Sequence, residues 1–182
     1  AVEAALHAGA TRVVEIAAGL GGRSLRLAAR YPDVRFVDGD LPDMAAARSG
    51  AFARAGATPP NVRVVTLDFL AADGPTSLRH VLATEAAPTV VVTEGLLNYL
   101  PRGAVEAGWS AVAAALRSAG GGTYISDLHL GDEVARFAAA RWFMRGLGVF
   151  ARGRTELHHA TVDEALAAAR TAPAGELEVS YD

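Results

Sequence analysis

The sequence predicts an α/β fold: a doubly wound, mostly parallel sheet with helices on both faces. Three observations carry this expectation. Short β-branched runs alternate with segments of helical period along the chain. The run "PTVVVTEG" is apolar without alternation, as suits a strand buried on both faces of a parallel sheet. Strand runs end in glycines or acids, at the edge where ligands bind in open α/β sheets.

The elements follow in order. Arg12 to Ala17 reads as the first strand, and a helix runs from about Gly22 to Tyr31 with Leu25, Leu27 and Ala28 as its apolar positions. Val34 to Val37 is the second strand, closed by "DGDLP". Pro42 to Ala55 is helical, since proline is tolerated in a first turn. "NVRVVTLDF" is the third strand, "TSLRHVLATEAA" the third helix and "PTVVVTEG" the fourth strand. Pro101 opens a long helix with Val105, Trp109, Val112 and Leu116 at helical spacing, stopped by glycines 120–122. "TYISDLHL" is the fifth strand, and Asp132 to Arg145 is helical. Thr161-Val-Asp-Glu164 has the capping-box pattern ahead of another helix, and "ELEVSY" is a last strand. With no internal repeat and no long linker, residues 1–182 read as a single domain. The missing initial Met and the abrupt end after "ELEVSYD" point to a piece of a longer chain.

Composition excludes several classes. A 51% hydrophobic chain with 20% charged residues is globular. A net charge of −3 gives no electrostatic reason for nucleic acid or an anionic membrane as partner. No window approaches the roughly 18 apolar residues of a membrane span, and "AVEAALHAGATR" lacks the form of a signal peptide. Cysteine is absent, so disulfides and thiolate metal sites are excluded and a cytoplasmic location is expected. All 17 basic side chains are arginine. The expected partner is a small-molecule substrate, and nothing assigns an oligomeric state.

The strand ends carry the chemistry. After the first strand comes Ala17-Ala18-Gly19-Leu20-Gly21-Gly22-Arg23, where glycines allow close approach and helix-start amides face electron-rich groups. The following strands end in Asp38 and Asp40, in Asp68-Phe69, in Glu94-Gly95, and in Asp127 with His129. A plain turn could explain the glycines, and a helix cap could explain Asp40 or Asp68. Acids at four successive strand ends are harder to explain that way. Such a mouth suits a cationic ligand, or one rich in hydroxyl and amino donors, better than a pyrophosphate. That favours S-adenosylmethionine over NAD, and "AAGLGGRS" also fits G-x-G-x-x-G poorly.

"VVEIAAGLGGRSLRL", "VDGDLPDM", "VVTLDF", "PTVVVTEGLLNYL" and "SDLHL" together resemble the leucine carboxyl methyltransferase-like family of class I S-adenosylmethionine-dependent methyltransferases, in its polyketide O-methyltransferase branch. The motifs stand in family order from Arg12 to Leu130. The resemblance implies a Rossmann-like methyltransferase fold, without the family's N-terminal helical segment and last strand. It implies S-adenosyl-L-methionine as cofactor, with Gly19 beside the methionine part, Asp40 on the ribose, Asp68 and Phe69 near the adenine, and Glu94 at the amino-acid end. Arg23 matches a family arginine that anchors the loop. Gly19, Asp40, Asp68, Phe69 and Glu94, with Glu15, Ala17, Gly21 and Asp38, form the expected cofactor-binding set. Two departures stand in the loop: Ala17 replaces a usual glycine, and Gly21-Gly22 replaces D-T.

Methyl transfer from a sulfonium is an in-line displacement governed by positioning. A carboxylate acceptor needs no base, whereas an alcohol gains from one. His129 is the candidate base, with Asp127 to orient it or to contact the cofactor, beside the plainer reading of His129 as a polar residue flanking a strand. Asn98, Tyr99 and Trp142 are candidate substrate contacts, with ordinary packing as the alternative for Tyr99. His158 and His159 lack a third ligand at useful spacing and read as a solvated loop, so no metal is expected. The basic-aromatic segment from Arg136 to Arg154 reads either as a cap over an apolar pocket or as an amphipathic helix.

Overall fold

The computed structural model describes residues 1–56, 58–127, 130 and 157–171. Two compact units are distinguished, one of residues 1–94 with 111–126 and the other of residues 95–110 with 127–182.

The first unit is built on five strands: β1 (Arg12–Ile16), β2 (Arg35–Asp40), β3 (Val62–Thr66), β4 (Thr89–Thr93) and β5 (Gly122–Ser126). They form one all-parallel sheet in the order β3-β2-β1-β4-β5. The order reverses between β1 and β4, so a crevice opens at their carboxyl ends, where such sheets bind ligands. Every residue of β1 and of β4 is buried. On one face Val13, Phe36, Val62, Val90 and Val92 pack against Leu27 and Ala28 of α2 (Arg23–Arg30), Phe52 of α3 (Pro42–Ala55) and Leu6 of α1 (Val2–His7). On the other face Ile16 borders Leu78 of α4 (Leu78–Leu82) and Val112 and Ala115 of α5 (Arg102–Ser118). Helices thus cover both faces, as the doubly wound reading requires.

The boundaries hold instructive differences. α3 matches its predicted span because Pro42 sits in the first turn and Gly56, at φ +70°, ends the helix in the left-handed region. β2 continues to Asp40, three residues beyond the predicted end, because Asp38, Gly39 and Asp40 pair with Val64, Val65 and Thr66. α4 is shorter than predicted. The chain beyond it gives the Glu85 carbonyl to the buried guanidinium of Arg12 at 3.0 Å, and Pro88 follows. β5 starts at Gly122, where a Cβ would lie 2.0 Å from the Thr89 carbonyl oxygen. α1 is a helix of six residues, too short to show a period in the sequence; its Leu6 reaches the core.

In the second unit, Leu97–Tyr99 forms a 3₁₀ turn, residues 102–110 belong to α5, and α6 spans Val162–Thr171. Thr161 Oγ1 accepts from the Glu164 N–H at 3.3 Å, and the Glu164 carboxylate accepts from the Ala160 N–H at 2.8 Å. This is a capping box displaced by one residue. The helix predicted at Asp132 to Arg145, the arginine-aromatic segment from Arg136 to Arg154 and the strand "ELEVSY" lie outside the described residues, as do His129 and Trp142. No helix among the described residues is long and apolar enough to cross a membrane.

Candidate functional site

The loop after β1 is shaped by its backbone. Ala17 has φ +57° and Gly19 φ +51°, and Ala17 is the one non-glycine residue with positive φ among those described. The left-handed region strains a Cβ but not glycine. The loop is tied at both ends: the Ala18 N–H donates to the Gly39 carbonyl at 3.1 Å, and Gly21 N–H donates to the Ala18 carbonyl at 3.2 Å. Asp40, half-buried at the end of β2, receives the Gly19 N–H on Oδ2 at 2.8 Å and the Leu41 N–H on Oδ1 at 2.8 Å. Each oxygen keeps a second lone pair, so Asp40 can brace the loop and still accept from a ligand hydroxyl.

Below this edge the sheet register sets Glu15 of β1 beside Asp38 of β2. Two like charges paired across strands repel, and two arginines from the overlying helices answer them. Arg48 of α3 donates from Nε (2.9 Å) and Nη2 (2.6 Å) to Asp38 Oδ2. Its Nη1 reaches the Gly19 carbonyl at 2.7 Å, its guanidinium lies 4.9 Å from the Phe52 ring centre, and Ser24 Oγ donates to Asp38 at 2.6 Å. Both charged side chains are 1% exposed. This corrects the view of Asp38 as an open strand-end acid: β2 runs past it, and its carboxylate is enclosed by Arg48 and Ser24. Arg48 was not among the predicted residues. The signal was present, because Arg48 stands on the buried face of α3 between Ala45 and Phe52.

Glu15 is answered by Arg23, whose Nη1 donates to Oε1 at 2.7 Å, while Nη2 donates to Glu94. Burial pushes the Glu15 carboxyl above its ordinary value, and the nearby Arg23 opposes that shift. Glu94, just past β4, is exposed. At the end of β3, Asp68 Oδ1 accepts the Leu70 N–H at 2.9 Å in an Asx turn, and Phe69 is buried. Phe69, Ile16, Leu78, Val112 and Ala115 border a cavity of about 280 Å³. Within the first unit the structure thus brings the glycine loop, Asp40, Glu15 and Glu94 to one edge of the sheet, with Asp68 at the end of β3.

In the second unit, the Asp127 carboxylate receives the Gly95 N–H on both oxygens at 2.9 Å. Asn98 is buried and Tyr99 is exposed in the 3₁₀ turn. His158 and His159 are not a solvated loop: they are 8% and 3% exposed. His158 Nε2 lies 3.0 Å from the Leu97 carbonyl oxygen, which can only accept, so that nitrogen carries the proton. The His159 ring stacks on Trp109, with ring centres 6.1 Å apart and planes 13° apart. Burial first, and Arg102 and His158 after it, push the His159 pKa below its ordinary value. Among the described residues no cluster of three or more His, Asp or Glu could hold a metal.

The comparisons agree with this architecture. The family model described as leucine carboxyl methyltransferase matches residues 1–113 of the 182. A Mycobacterium ulcerans (strain Agy99) protein assigned as an S-adenosyl-L-methionine-dependent methyltransferase is 37% identical over 137 residues, covering 74% of this chain and 42% of that protein. A similarly assigned Mycobacteroides abscessus protein is 39% identical over 104 residues, covering 56% and 33%. The chain therefore spans less than half the length of these curated relatives. Among solved structures, PigF with SAH superposes at a TM-score of 0.66 with 15% identity, over 91% of this chain and 45% of that one. An O-methyltransferase family protein from Burkholderia thailandensis does so at 0.61 with 20% identity, over 91% and 46%. At such identities these likenesses concern the fold.

Proposed function

The chain belongs to the leucine carboxyl methyltransferase family, and on that premise we propose that it forms the cofactor-binding part of an S-adenosyl-L-methionine-dependent O-methyltransferase acting on a small-molecule hydroxyl or carboxylate, of polyketide type. The observation that carries this reading is Asp40. One carboxylate both fixes the backbone of the glycine loop through the Gly19 N–H and keeps lone pairs at a half-buried strand end. That arrangement fits a ligand with vicinal hydroxyls, which a ribose offers.

The residues present fit the rest of that ligand as well. Asp68 can accept from the adenine amino group and Phe69 gives an apolar wall beside it. The carboxylate of Glu94 matches an α-ammonium, and the Gly19 and Gly21 backbone lets the methionine part lie close. Bound there, the sulfonium supplies the methyl group for in-line transfer to an oxygen. The protein's task is to hold the acceptor oxygen in line and keep water away. We assign His129 as the base for a hydroxyl acceptor, with Asp127 to orient it or to contact the cofactor, and Asn98, Tyr99 and Trp142 as acceptor contacts. The absence of lysine removes the usual Tyr/Lys pair of an oxidoreductase.

Calorimetric titration of the 182-residue chain with S-adenosylhomocysteine and with NAD tests the reading. The chain is expected to bind the former and not the latter. Asp40→Ala should weaken binding by about tenfold or more, since a buried hydroxyl pair loses its acceptor. Preference for NAD would overturn the reading, and unchanged affinity in both Asp40→Ala and Asp68→Ala would overturn the site.

A further inference from the structure

His158 and His159 are neighbours in sequence, yet their side chains go to different elements of the second unit. His158 Nε2 donates to the Leu97 carbonyl at 3.0 Å, and Leu97 opens the 3₁₀ turn that carries Asn98 and Tyr99. The His159 ring lies against Trp109 of α5, with planes 13° apart. Two residues further on, Thr161 caps α6. The pair thus fastens the chain ahead of α6 both to the turn and to α5.

One half of this fastening holds only while it is uncharged. His159 is 3% exposed, and its Nε2 has no hydrogen-bond partner among the described residues. Protonation makes both ring nitrogens donors, so the charge would sit on a ring whose buried nitrogen has no acceptor. The stack does not offset this cost, because ring centres 6.1 Å apart lie at the outer limit of a cation–π contact, about 6 Å. Nor do the facing charges. Arg102 and Glu106 face the ring from α5, Glu164 from α6 and His158 from its own segment. Glu106 is paired with Arg102 at 2.9 Å, and Glu164 accepts from the Ala160 N–H at 2.8 Å. Burial first, then Arg102 and His158, outweigh the two carboxylates and push the His159 pKa down.

We propose that the His158–His159 pair is a pH-sensitive fastening for the turn that carries Asn98 and Tyr99. With His159 neutral, the pair holds the segment ahead of α6 against that turn and against α5. With His159 protonated, the segment releases and the turn loosens. His158 is the positioning half, acting on Asn98 and Tyr99 through the Leu97 carbonyl, and His159 is the sensing half. Released, the His159 ring titrates at its ordinary 6.5; docked, it titrates lower. The docked state is therefore fully favoured above pH 6.5 and loses ground as pH falls below it. Over that range each pH unit shifts the ratio of docked to released chain by up to about tenfold. The hold needs no ligand; only its bearing on acceptor contacts rests on the proposed function.

Amide exchange in the 182-residue chain, followed by NMR and corrected at each pH for the intrinsic rate, reads the hold directly. The reporters are the N–H groups of Tyr99, Leu100 and Ala165, which donate to the Leu96, Leu97 and Thr161 carbonyls. In wild type their protection should fall by up to about tenfold per pH unit below the ordinary histidine value. His159→Gln cannot take the charge and should remove this slope. His159→Phe, which keeps a ring against Trp109, serves if the Gln variant does not fold. His158→Ala should lower the protection of Tyr99 and Leu100 by about fivefold at every pH, the worth of one hydrogen bond, and leave the slope in place. His158→Gln, which keeps a donor, should restore part of that loss. A slope that persists in both His159 variants would overturn the inference. So would equal protection at Tyr99, at Ala165 and at Val91 of β4 in acid, since the chain would then open only as a whole. A slope kept in a chain that binds no S-adenosylhomocysteine supports the fastening and overturns only the cofactor reading.

Discussion

Arg48 and Arg23 stand near the same edge of the sheet and answer neighbouring carboxylates, yet they are opposites. Arg48 is 1% exposed, and the Asp38 that it pairs with is equally enclosed. It also holds a loop carbonyl and lies over Phe52. Arg23 shares its charge between one buried acid and one exposed acid. The difference teaches how one sheet edge can hold both a rigid and an exchangeable charge pair. A charge pair sealed from water loses much if one member is removed, whereas a pair at the surface can swap partners at small cost.

The sharpest way to break the comparison is at Arg48. Arg48→Met should cost about 3–5 kcal/mol of stability by urea unfolding, because it leaves Asp38 buried and unpaired. The double variant Arg48→Met with Asp38→Leu should recover much of that loss; if it does not, the pair is not the unit described. Next comes the loop that Arg48 holds. Ala17→Gly should stabilise the chain by about 1 kcal/mol by relieving the left-handed alanine, offset in part by the greater freedom of glycine when unfolded. A destabilised variant would show that Ala17 carries no strain.

At the open end, Glu94→Gln should change unfolding free energy by less than about 1 kcal/mol, measured by the same urea unfolding, because Glu94 is exposed. A loss as large as that at Arg48 would erase the contrast. His159 extends the comparison to a buried group whose Nε2 has no hydrogen-bond partner among the described residues. Its folded pKa is lowered from 6.5, so below that pH the unfolded chain binds the proton more readily. Stability should therefore fall as pH drops from 7.5 towards 5.5, and His159→Gln should flatten that part of the profile.

Much of the fold was legible because its signals are local. Pro42 and Gly56 bracket α3, the apolar run of β4 demands cover on both faces, and Gly120 and Gly121, both left-handed, end the helix before β5. The acids at the strand ends could be read as a set because strand ends in such sheets share one edge. Other features depend on pairings that no local pattern states. Asp38 became a core residue only because β2 ran on beside β3. Arg48 found its partners through the packing of α3 on the sheet. His158 and His159 look polar in sequence, but they are buried against Leu97 and Trp109.

By itself, the sequence determined the alternation of strand and helix, the sheet edge at which the glycine loop and the acids gather, and the family to which those motifs belong. Tertiary structure decided which charges stay open at that edge and which are spent on the scaffold. The physical reason is that a carboxylate's role depends on its distance from the nearest cation and from water. Both are set by register and packing, so Asp38 and Asp40, two residues apart on one strand, come to do different work.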